Sequence, residues 1–83
     1  MGTIFYWYSM IIYTATKTET KTLNITNVER TQSIIYLNNV VYDDIILAAG
    51  SNGYPNLRVL ELNLNEGDVV SAIDNDLITY TIE

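Results

Sequence analysis

Carboxylates, hydroxyls, side-chain amides and four basic groups make up the polar inventory of this chain, which contains neither histidine nor cysteine. The missing imidazole removes the usual general base near neutral pH and a common metal ligand. The missing thiol removes a nucleophile and every disulfide. A Ser-His-Asp triad is therefore impossible. Lys17 and Lys21, the lysines a Ser/Lys variant would need, sit in a polar stretch. Gly50 and Gly53 do not fit a phosphate loop. Paired carboxylates can serve a glycosidase, yet 83 residues leave little room for a cleft. The chain reads as a non-enzyme with no catalytic residue and no cofactor.

Two acidic groups, Asp43-Asp44 and Asp74-Asn75-Asp76, offer the oxygen ligands that calcium takes. The EF-hand spacing is absent. They read as solvated turns, and no metal is expected. Asn52, Tyr54 and Asn56 lie in the loop Ser51-Asn52-Gly53-Tyr54-Pro55-Asn56. A tyrosine ring stacks on a sugar while amides bond its hydroxyls, so a carbohydrate- or small-ligand-binding module is the alternative function. The plainer reading is a turn-rich loop with one exposed Tyr. Asn24-Ile25-Thr26 fits the N-glycosylation sequon, a short pattern that Asn- and Thr-rich chains match by chance.

The most unusual segment is the apolar run from Ile4 to Tyr13. As a strand it places Ile4, Tyr6, Tyr8, Met10 and Ile12 on one face and Phe5, Trp7, Ile11 and Tyr13 on the other, with Ser9. A strand apolar on both faces must be covered on both. One small sandwich supplies one cover, and a second copy or another protein supplies the other. Trp and Tyr are typical interface anchors. Ile4, Phe5, Tyr6, Trp7, Tyr8, Met10, Ile11, Ile12 and Tyr13 are thus the expected interface residues. The competing reading is a central strand buried within its own chain. The run is about half a transmembrane helix in length. No Lys or Arg precedes it, so no signal peptide is visible.

These residues need a scaffold, and the length allows one small domain, 1–83. Domains of this size hide only about 60–65% of their unfolded surface and often gain stability by oligomerising. The charge is uneven. Lys17, Lys21 and Arg30 face Glu19 and Glu29 in residues 1–30, a net of +1. Arg58 alone faces Asp43, Asp44, Glu61, Glu66, Asp68, Asp74, Asp76 and Glu83 afterwards, a net of −7 within the total of −6. Such a chain repels phosphate backbones and anionic membranes, so neither nucleic acid nor a membrane span is expected as partner.

β-Branched and aromatic residues dominate, with turn signals at short intervals. Expected strands are Leu57 to Leu64, Val69 to Ile73 and Leu77 to Ile82, with Asn65 to Asp68 as a hairpin turn that sets Gly67 at positive φ. Ser33 to Leu37 and Val40 to Tyr42 flank a tight Asn38-Asn39 turn. Ile45 to Ala49 reads as a separate short strand, with one helical turn as its alternative. Thr14 to Thr22 alternates Thr with Ala, Lys and Glu, leaving no apolar face. It reads as a solvated strand or assembly arm within residues 1–22, or as a segment with an exposed turn near Lys17 to Glu19. The expected fold is all-β: a small antiparallel sandwich or partly open barrel of about six to eight short strands.

The segment Leu62-Asn63-Leu64-Asn65-Glu66-Gly67-Asp68-Val69-Val70, continued by Thr79-Tyr80-Thr81-Ile82, resembles the strand–turn–strand of jelly-roll and sandwich domains. Trimeric jelly rolls and small virion accessory or decoration domains share it. The chain is shorter than a full eight-strand jelly roll. The resemblance implies an oligomeric β-domain on a larger particle and brings no catalytic residue. The expected function is a structural or interaction module that self-associates or binds an assembly such as a phage or virus particle. The Ile-, Asn- and Tyr-rich composition fits an AT-rich genome and is compatible with a virus; with no signal peptide visible, a virion or host cytoplasm is the favoured location.

Overall fold

The computed structural model describes residues 9–83, which form seven strands and no helix. They are β1 (Ser9–Thr14), β2 (Glu19–Asn27), β3 (Thr31–Leu37), β4 (Val40–Leu47), β5 (Asn56–Leu64), β6 (Val69–Ile73) and β7 (Ile78–Ile82). Two antiparallel sheets result, a four-stranded one in the order β1-β6-β3-β4 and a three-stranded one in the order β5-β2-β7. The fold is consistent with a small all-β sandwich.

Alternation sets the two layers. Leu23 and Ile25 of β2 share a face with Leu60 of β5 and with Tyr80 and Ile82 of β7, as their cross-strand register requires. That face meets Ile35, Leu47, Val70 and Ala72 from the other sheet. Fully burying one such aliphatic side chain contributes about 1.5–3 kcal/mol. The outward face of the three-stranded sheet carries Thr20, Thr22, Asn24, Thr26, Thr79 and Thr81, with Leu57 and Val59 on β5. Thr14 to Thr22 is not one solvated strand; the alternative, an exposed turn near Lys17 to Glu19, is what forms. Ala15–Thr18 make a turn, and Glu19–Thr22 open β2, the central strand of its sheet.

The Asn38-Asn39 hairpin forms as expected, both residues holding positive φ of 52° and 64°. Gly67 takes φ 90°, where a side chain would be strained. The link that contains it is not a hairpin. β5 and β6 lie in different sheets, so Asn65–Asp68 crosses from one layer to the other. The separate strand Ile45 to Ala49 is also corrected: Val40–Leu47 run as one strand, and Ala48 and Ala49 are exposed beyond it. Asp43 does not break β4 because its carboxylate turns inward to Arg58 across the sandwich.

Candidate interaction surface

The expected interface divides at Ser9. Ile4, Phe5, Tyr6, Trp7 and Tyr8 lie outside the described residues. Met10, Ile11, Ile12 and Tyr13 lie on β1, which ends its sheet and pairs only with β6 among the described residues. Ile11 stands opposite Ser71 on the outer face and is 70% exposed. Met10 stands opposite Ala72, shares the inner face, and stays 40% exposed at the rim.

A bulge between Ile11 and Tyr13 breaks strict alternation here. An extra residue rephases the strand beyond it. Tyr13 therefore faces inward opposite Val70 rather than outward with Ile11, and Ile12 also packs against the core. The expected grouping of Tyr13 with Ile11 is overturned for this reason.

Tyr13 is held by a polar clip to β2. Its hydroxyl donates to Glu19 Oε2 at 2.5 Å. Lys21 Nζ sits 3.6 Å from Glu19 Oε1 and 5.2 Å from the Tyr13 ring centroid. The Tyr13 hydrogen bond holds the Glu19 carboxyl below its ordinary range, with Lys21 and Lys17 adding to the effect. The same bond raises the Tyr13 hydroxyl above its own.

β7 is the matching end strand of the other sheet and lies against β1 across the sandwich. Tyr80 Oη donates to Ile73 O at 3.4 Å, and burial raises its pKa. Neither Ser9–Thr14 nor Ile78–Ile82 contains a charged residue. The opposite side differs. There β4 and β5 carry Asp43, Asp44, Arg58 and Glu61. Arg58 Nη2 and Nε donate to the two Asp43 oxygens at 2.8 Å and 3.3 Å, a two-point bond between the sheets.

The outer face of the four-stranded sheet is more apolar than that of its partner. Ile11, Val69, Ile73, Ile34, Tyr36, Val41 and Ile46 share it by register. Ile34 and Ile73 on this face are buried, as is Ser71, whose hydroxyl has no hydrogen-bond partner among the described residues. Charge on this face comes from Asp44, which accepts from Gln32 Nε2 at 2.8 Å.

The suggested ligand loop does not converge. Ser51 and Tyr54 pair through their backbones around Asn52 and Gly53, both at positive φ. Tyr54 projects at 76% exposure. Asn56 instead opens β5, and its amide donates to Asn27 Oδ1 at 3.2 Å. Asn27 in turn donates to Glu29 O and Ala48 O, so both amides are occupied by the scaffold. An open cleft of about 510 Å³ lies at this end, lined in part by Val28, Glu29, Pro55, Asp76 and Leu77. Among the described residues no group of three or more carboxylates is placed to hold a metal ion, and no helix is long and apolar enough to cross a membrane.

Sequence reasoning missed the Arg58–Asp43 bond and the second open edge at β7. The first had a signal: a lone cation on a leucine-lined strand face needs a carboxylate partner. The second had none, because strand order is not written in local pattern. No family model, curated protein or solved structure matches this chain.

Proposed function

We propose that this chain is a non-enzymatic interaction module that self-associates, and that its leading strand makes the contact. One observation carries the reading: β1 is an end strand without a charged residue, and its outward Ile11 is 70% exposed. Soluble proteins ordinarily guard such edges with charge or proline. An unguarded edge accepts another strand through backbone hydrogen bonds, and apolar side chains add burial. In sequence this strand is preceded by the apolar run Ile4 to Tyr8, which has the Trp and Tyr composition of interface anchors. The resemblance to virion decoration domains makes a phage or virus particle the favoured larger setting for such an oligomer.

Sedimentation velocity over a concentration series tests the reading. Reversible association that persists in high salt is expected, because the contact is apolar. A clean monomer at high micromolar concentration overturns it.

A further inference from the structure

We propose that two copies join edge to edge through the β1/β7 side, β1 pairing antiparallel with β1 of the second copy, so that the four-stranded sheet runs on into its twin. This rests on the self-association reading and adds the side, the strand and its direction.

The charge distribution selects the side. Two copies of a chain with net charge −6 repel each other, so a self-contact costs least where charge is absent. β1 and β7 form the less charged side: neither end strand contains a charged residue, and Glu83, bonded to Thr22 just past β7, adds one carboxylate at its end. The β4/β5 side would bring Asp44 and Glu61 against their own copies. Both β1 and β4 contain a bulge, so bulging does not distinguish the two edges, whereas charge does.

The exposed apolar atoms select the strand. Ile11 is 70% and Met10 40% exposed on this strand. The direction follows from symmetry. A two-fold axis beside a strand sets it antiparallel to its own copy: residue i meets residue j, j meets i, and only the residue at the axis meets itself.

The absence of native cysteine allows a direct test, because any introduced thiol is the only one. Single variants Ser9→Cys and Ile11→Cys place a thiol on the outer face of β1. Facing residues in an antiparallel pair have Cα atoms about 4.5–5.5 Å apart, within disulfide reach. Mild oxidation should give a covalent dimer from the single variant that sits at the axis or, with the axis at Met10, from the two variants mixed; no cross-link in any of the three overturns the β1 geometry. Ile46→Cys on β4 and Val59→Cys on β5 should stay monomeric on non-reducing gels. Ile11→Lys should keep its melting temperature and weaken association by about tenfold or more, since it puts a charge on each copy of the paired strand. Cross-linking through Ile46→Cys or Val59→Cys alone would overturn the β1 geometry and leave self-association standing. Unmodified protein that sediments as a monomer would overturn both.

Discussion

The two long sides of this sandwich solve the same problem differently. On the β4/β5 side, charge guards both end strands and also works inward, where Arg58 and Asp43 bond the sheets together. On the β1/β7 side, closure comes from tyrosines: Tyr13 reaches Glu19 on β2, and Tyr80 reaches the backbone of Ile73. The first side rejects a further strand, while the second leaves one possible. Where charge sits along a sandwich rim can therefore decide whether it ends or continues.

Truncating Leu23→Ala removes a fully buried side chain from β2, the central strand between the two sides. It should cost about 2–5 kcal/mol in urea unfolding and lower hydrogen-exchange protection in β1 and β4 together. Protection lost on one side alone would mean that the sides are separate cooperative units.

Replacing Arg58→Ala attacks the guarded side only. The pair is partly exposed, so a loss of about 1–2 kcal/mol is expected. Exchange should quicken in β4 and β5 and stay unchanged in β1. Equal loosening of β1 would dissolve the distinction between the sides.

Acid should act on both through two carboxyls held below their ordinary values of 3.8 and 4.5. Asp68 accepts from Asn38 and from the Asn65 backbone, and Glu19 accepts from Tyr13. Their stabilisation is present above those ordinary values and is lost as pH falls through the lower folded ones. The melting temperature should drop below about pH 4.5, and less so in Asp68→Asn. Tyr13 and Tyr80 are shifted the other way, above 10.0. Their contribution is complete below pH 10 and is lost as pH rises through the raised values. An alkaline loss that Tyr13→Phe reduces would tie the open side to its clip.

The smallest effect on folding belongs to Ile11→Lys. At an exposed position, stability should change by no more than about 0.5 kcal/mol in thermal unfolding. A large loss would show that Ile11 is needed inside its own protomer and would remove the open edge from the comparison.

Local chemistry was readable where a residue's own backbone preference or its two neighbours settle the matter. Asn38-Asn39 turned because Asn tolerates left-handed backbone, and the expected strand Leu57 to Leu64 formed because apolar and polar residues alternate along it. Asp43-Asp44 misled because two acids resemble a turn until the partner Arg58 is in view. Asn65–Asp68 misled because a short turn with glycine looks the same whether it closes a hairpin or crosses between sheets. For the interface, the composition of the leading run was legible, but the bulge that turns Tyr13 inward was not.

The order of residues alone determined an all-β fold, an acidic surface, the absence of imidazole and thiol chemistry, and an apolar leading segment. Those depend on side-chain type and period, which are local. Only the tertiary structure decided which strands end the sheets, which carboxylate meets Arg58, and which end strands carry no charge. These depend on pairing between distant segments, whose energies are set by what each strand finally touches.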